Sequence, residues 1–118
     1  MPGIKNRDSG VTSPIIENFE KMLLAGRDGA LLRFGLGNEY FKIAEFNSAV
    51  KHFTQAVALD ADYSAAWKML GKSLAESGRN IEAVTAYQKG IAAAEKNGDK
   101  QAAKEMAVFL KRLAGSAA

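Results

Sequence analysis

Two adjacent stretches of equal length decide the fold: ALLRFGLGNEYFKIAEFNSAVKHFTQAVALDADY at 30–63 and SAAWKMLGKSLAESGRNIEAVTAYQKGIAAAEKN at 64–97. A shift of 34 residues aligns Leu36 with Leu70 and Gly37 with Gly71. The same shift aligns four further pairs, which are Ala49 with Ala83, Val50 with Val84, Phe53 with Tyr87, and Val57 with Ile91. Because one offset aligns two apolar segments at once, the sequence predicts a structural repeat.

Each stretch contains two segments whose apolar residues recur at helical spacing. The expected helices cover about 30–43 and 46–59 in the first stretch, and about 64–77 and 81–96 in the second. A further helix is expected at 13–26, where Ser13 and Pro14 form a typical helix start, and a last one at 99–114, with Asp99 as its N-cap. No segment alternates with the period of two that a strand needs. The sequence therefore predicts an all-α fold of about six helices.

The second stretch reads Trp67-x2-Leu70-Gly71-x2-Leu74 and then Ala83-x3-Tyr87, and the first stretch has the corresponding residues from Arg33 to Phe53. This pattern is similar to that of the tetratricopeptide repeat family, W-x2-L-G-x2-Y followed by A-x3-F. The resemblance implies a short right-handed α-solenoid of antiparallel helix pairs, with repeat one at 30–63 and repeat two at 64–97. Two departures are the absence of the family's Pro at the end of each repeat and the presence of Gly90 where the family prefers Ala.

The segments on either side of the repeats complete the expected single domain at 13–114. Residues 1–12 lack periodicity and are expected to form a flexible tail. The helix at 13–26 corresponds to half a repeat, and the helix at 99–114 is expected to cap the stack. The small size resembles that of standalone bacterial members of the family.

Composition restricts the partners and the chemistry. Sixteen basic and thirteen acidic residues are mixed along the chain, giving a net charge of +3 and a pI near 9.2, which argues against nucleic acid as the partner. The chain has no Cys, which excludes disulfides and thiolate metal sites. It also has no apolar run of about 20 residues, so we expect no membrane span, and a cytoplasmic location is the default expectation.

Catalytic signals are also missing from the sequence. His52 is the single histidine, and we expect it to be an exposed structural residue of the third helix. No P-loop or dinucleotide motif is present. We therefore expect no enzymatic activity, no cofactor and no metal site.

The resemblance also implies a concave groove lined by the first helix of each repeat. The family's groove positions correspond to Phe34, Asn38, Phe41 and Lys42 in repeat one and to Lys68 and Lys72 in repeat two, with Lys104 expected on the same side. This set combines an aromatic wall with a cationic patch. It predicts an adaptor that binds an acidic or apolar segment of another protein. Asn38 also matches one position of a clamp for a C-terminal carboxylate, but Phe34 replaces the Lys that such a clamp needs.

Three alternatives remain open at this point. Lys68 and Lys72 are also consistent with a solvated helix face, where most lysines lie. Exposed apolar residues such as Ile15, Phe19 and Phe109 are consistent with a self-associating structural subunit, for example a homodimer. An RNA-associated module would rest on the pI alone.

Overall fold

The structure is a computed structural model, which describes residues 13–117 and the side chains as far as Gly115. Within these residues it contains six α-helices and no strand, which confirms the predicted all-α fold. The helices are α1 (Pro14–Leu24), α2 (Ala30–Lys42), α3 (Phe46–Leu59), α4 (Ser64–Glu76), α5 (Asn80–Lys96) and α6 (Lys100–Ala117). The tail expected at 1–12 lies outside the described residues.

The first and last helices begin at side-chain caps. The Ser13 hydroxyl accepts a hydrogen bond of 3.1 Å from the backbone N–H of Ile16, and Pro14 occupies the first helical position. The Asp99 carboxylate accepts a hydrogen bond of 3.0 Å from the backbone N–H of Ala102. These bonds satisfy N–H groups that the helix itself leaves unpaired. The last helix extends three residues beyond its expected end at 114.

The ends of α2 and α4 differ in the residue that adopts the left-handed backbone conformation. Gly78 has a φ of 78° after α4, whereas Ala44 has a φ of 60° at the same repeat position after α2. The left-handed conformation costs a residue with a Cβ atom about 1–2 kcal/mol. The end of α2 is therefore strained where the end of α4 is relaxed.

The helices form two layers. Each helix packs against the next one along the chain, and in addition α2 touches α4 and α4 touches α6. Within the described residues, no Cα atom of α3 lies within 8 Å of a Cα atom of α5. Consequently α2, α4 and α6 form one continuous layer, while α3 and α5 are separate ridges on the other side.

Two glycines allow the helices of each pair to approach closely. A Cβ atom on Gly37 would lie 2.5 Å from the ring of Phe53, and one on Gly71 would lie 2.5 Å from the ring of Tyr87. Both rings are buried, so the aromatic side chains fill the space directly over the glycine backbone. The two glycines, which correspond across the repeats, therefore have the same packing role in each helix pair.

Close packing also explains why residue 90 is a glycine. A Cβ atom at this position would lie 2.8 Å from Cβ of Trp67 and would collide with the sulfur of Met106. Met106 is completely buried, so α6 packs directly over the α4–α5 pair at this point. The departure from the family's Ala is therefore matched by the larger Met106 side chain.

The expectation that His52 is exposed is wrong, because its ring is only 3% exposed. The ring stacks on Tyr40 with a centroid distance of 5.4 Å, and its Nδ1 accepts a hydrogen bond of 3.2 Å from Arg33. Its Nε2 lies 3.8 Å from a carboxylate oxygen of Glu20, which also accepts a hydrogen bond of 2.9 Å from the Tyr40 hydroxyl. Burial lowers the pKa of His52, and the Arg33 charge lowers it further, against the opposing effect of Glu20. Helices α1 and α2 cover this residue, which the pattern of α3 alone could not indicate.

Candidate functional site

Helices α2, α4 and α6 carry the residues of the expected groove. Helix α4 begins 34 residues after α2, and α6 begins 36 residues after α4, because α5 is longer than α3. Lys104 therefore occupies in α6 the position that Lys68 has in α4. The layer presents three parallel helix faces, so side chains of neighbouring helices can meet across it.

The centre of this surface is a lysine between two aromatic rings. The Lys72 Nζ atom lies 5.8 Å from the ring centroid of Phe41 in α2 and 5.6 Å from that of Phe109 in α6. Both distances are within the range of cation–π attraction. Among the side chains of residues 13–115, no carboxylate lies within 4 Å of this ammonium group. Phe41 and Lys72 are thus brought together as the sequence analysis expected, and Phe109 completes the arrangement.

Lys68 contributes less free charge than the sequence suggested. Its Nζ atom donates a hydrogen bond of 3.1 Å to the Glu105 carboxylate of α6. The two side chains are only partly exposed, and their charges neutralise each other. The expected patch of two lysines is therefore an ion pair beside a single lysine.

The remaining predicted residues are dispersed. The Phe34 ring packs between Phe53, at a centroid distance of 5.8 Å, and Tyr63, at 4.9 Å, so it is half-buried. Lys42 donates a hydrogen bond of 2.9 Å to Glu39 one turn away on its own helix. Asn38 is half-buried and Lys104 is exposed. No described side-chain hydrogen bond joins either residue to Lys72.

Helix α6 contributes residues that the sequence did not allow us to assign to this surface. Phe109 lies 5.7 Å from the ring of Tyr87, and the guanidinium carbon of Arg112 lies 5.9 Å from the Phe109 ring centroid. A depression of about 250 Å³ lies at this point between α4, α5 and α6, bordered by Lys72, Phe109 and Arg112 among others. These residues could have been predicted from the register of α6, which depends on the length of α5.

The arrangement is suited to binding. Burial raises the pKa of Tyr87, whose ring packs against Phe109, to about 12. No group of three or more His, Asp or Glu side chains within the described part of the chain is arranged to hold a metal ion. None of the described helices is both long enough and apolar enough to cross a membrane. What the surface offers is aromatic area, one central ammonium group and a second cation beside it.

A layered stack of antiparallel helix pairs with a groove along one layer defines the class of α-helical repeat proteins. The tetratricopeptide repeat family matches residues 30–63. The chain is also 48% identical over 99 residues to a TPR repeat-containing protein of Pseudomonas aeruginosa, and the match covers 84% of this chain and 94% of that one. The chain therefore belongs to the tetratricopeptide repeat family.

Two further comparisons agree with this assignment. The solution structure of a protein from Bordetella parapertussis superimposes with a TM-score of 0.75 at 44% identity, covering 89% of this chain and 91% of that chain. A peroxisomal targeting signal receptor of Kluyveromyces lactis is 34% identical over 61 residues, which is 52% of this chain but 11% of the receptor. Members of the family are generally non-enzymatic modules for interaction between proteins.

Proposed function

We propose that this protein is a non-enzymatic adaptor that binds an acidic, partly apolar segment of a partner protein across α2, α4 and α6. The observation that carries the proposal is the Lys72 ammonium group between the Phe41 and Phe109 rings, without a carboxylate partner among residues 13–115. A carboxylate of the partner would supply the missing counter-charge. The two rings would contact apolar atoms on either side of that carboxylate.

The charge distribution supports an acidic partner. The Lys68–Glu105 pair is neutral as a unit, whereas Lys72 and Arg112 both lie against Phe109 without an ion pair to any side chain of residues 13–115. A charge-assisted hydrogen bond is about twice as strong as a neutral one. The partly enclosed surface beside the ring also screens such a bond less than open solvent does.

One relative adds support of a general kind. The protein of Kluyveromyces lactis that matches part of this chain is named as a receptor for a targeting signal. Recognition of a segment of another protein is therefore compatible with a stack of this type.

The experiment uses the purified protein as bait in a lysate of its source cells, beside two charge-reversal variants. Lys72→Glu reverses the central charge, and Lys51→Glu is the matched control on the exposed surface of α3, outside the groove. Quantitative mass spectrometry should identify a partner that the wild type and Lys51→Glu retain and that Lys72→Glu loses by tenfold or more. The proposal would be contradicted if Lys72→Glu captured the same partners in the same amounts as the wild type.

Self-association is the second candidate, and one surface favours it. Ile15 is 48% exposed on α1, and a depression bordered by Phe19 and Met22 lies along the same face of this helix, four and seven residues further on. Phe109 no longer supports this candidate, because its ring packs against Tyr87. If all three baits capture only further copies of this chain, self-association through α1 becomes the leading function.

A further inference from the structure

A second groove lies on the opposite face of the molecule, between the ridges α3 and α5. Within the described residues these two helices have no Cα atoms within 8 Å of each other, and α4 lies beneath the space between them. Two depressions of about 380 and about 370 Å³ occupy this space, and both are bordered by Trp67 and Lys89. Since they share these residues, they form one continuous surface, here called the back groove.

The back groove has two walls and a floor. Val50 and Thr54 of α3 form one wall. The floor consists of Trp67, Leu70 and Leu74 of α4. The other wall is a stripe along α5, and its residues are Ile81, Thr85, Lys89, Ala92 and Lys96.

The length and shape of the groove match a helix. The stripe on α5 recurs every three or four residues from Ile81 to Lys96, so it follows one face of the helix. At a rise of 1.5 Å per residue, this face is about 22 Å long. A partner helix of about 15 residues would lie along it, with its own apolar side chains one turn apart over the floor.

The surface of the groove is mainly apolar. Ile81 is 86% exposed at one end, although it is a large aliphatic residue. Leu70 and Leu74 lie at the base of the groove but are buried, so Ile81 and the partly exposed Trp67 supply most of the accessible apolar surface. An isoleucine that projects beside an apolar floor loses its contact with water only when another apolar group covers it.

The charged groups at the rim are already paired with one another. Arg79 makes two bonds of 2.8 Å to Glu82 at one end of the groove. Lys96 makes an ion pair of 2.9 Å with Asp62 at the other end. The charged side chains of these described residues are thus already balanced at both ends of the groove.

The middle of the groove is different. The Lys89 Nζ atom lies 5.5 Å from the ring centroid of Trp67, and no carboxylate among the side chains of residues 13–115 lies within 4 Å of it. The Trp67 N–H group is satisfied, since it donates a hydrogen bond of 2.8 Å to the backbone carbonyl of Ala61. Among the described residues that line the groove, Lys89 at its midpoint is therefore a cation without a carboxylate partner.

We infer that the back groove binds an amphipathic helix of a partner protein, with an apolar face toward Ile81 and the Trp67 ring and one acidic side chain toward Lys89. This site is separate from the proposed groove across α2, α4 and α6. The chain would then hold two partners on opposite faces at the same time.

The test is a selection from a displayed library of 16-residue helical peptides against the immobilised full-length protein. Ile81→Asp serves as the counter-selection target, because Ile81 is so exposed that this substitution leaves the fold intact. Enriched peptides should carry apolar residues at i, i+4 and i+7 and one Glu or Asp, and Ile81→Asp should bind them about tenfold more weakly or worse. Lys89→Glu should weaken the acidic peptides and strengthen versions in which Lys replaces the acidic residue.

Amide chemical-shift mapping with one enriched peptide then locates the site. Perturbations at Thr54, Thr85 and Lys89, unchanged in the Lys72→Glu variant, would support the inference. It would be overturned if the selection yields no peptide that depends on Ile81, or if the perturbed amides lie along α2 and α6. The Lys72→Glu variant separates the two proposals. If it loses the partner captured from the lysate but still binds the selected peptide, the two sites act independently.

Discussion

The substitution Gly37→Ala tests the close contact on which repeat one depends. The added Cβ atom would lie 2.5–2.7 Å from three atoms of the Phe53 ring, well inside van der Waals contact. Phe53 is completely buried and packs against Phe34, so its ring has little room to retreat. Overpacking of this kind costs about 1–3 kcal/mol, while Ala gains up to about 1 kcal/mol over Gly in helix propensity. Since three atoms collide, we expect a net loss of about 1–2 kcal/mol.

Thermal and denaturant unfolding followed by circular dichroism at 222 nm measures this loss. For a chain of this size it corresponds to a fall in Tm of about 5–10 °C. Gly115→Ala is the matched control, because it lies in α6 and its Cβ would meet nothing within 4 Å. The control should be as stable as the wild type or slightly more stable. Phe53→Leu should be less harmful in the Gly37→Ala background than alone, since it removes the colliding atoms. A Gly37→Ala variant as stable as the control would refute the close-contact argument.

Two further predictions concern pH and a helix end. Burial lowers the pKa of His52 below its ordinary value of 6.5, so its contribution to stability is complete above about pH 6.5 and is lost progressively as the pH falls further. The free energy of unfolding, measured in urea between about pH 7 and about pH 5, should therefore fall more in the wild type than in His52→Asn; parallel curves would contradict this. Ala44→Gly should stabilise the protein by about 0.5–1 kcal/mol by relieving the left-handed residue after α2, and Gly78→Ala should destabilise it by about 1 kcal/mol or more. Shifts in Tm of opposite sign are the expected signature, and a destabilised Ala44→Gly variant would count against the strain.

The candidate site could be predicted only in part. Phe41 and Lys72 were found because both lie within the repeats, where position in the 34-residue period indicates the face of the helix. Phe109 and Arg112 were not assigned to the groove, because α6 is two residues out of the 34-residue period. The pairing of Lys68 with Glu105 was missed for the same reason, although it removes half of the expected cationic patch.

What the sequence by itself determined is the set of helices and the repeat that orders them. Helical periodicity, end signals such as Ser13 and a single offset of 34 residues are local or periodic properties, which a chain displays without being folded. The small residues Gly37 and Gly71 also belong to this set, because their position in the repeat indicates which helices must approach.

The tertiary structure alone decided which charges remain free and which faces remain open. Lys72 and Lys68 have the same residue type on the same helix, yet only Lys68 meets a carboxylate, because Glu105 arrives from a helix 37 residues further on. His52 is buried only because α1 and α2 close over it, and the back groove exists only because α3 and α5 stand apart. These properties depend on distances between segments remote in sequence, and such distances are set by the packing of whole helices.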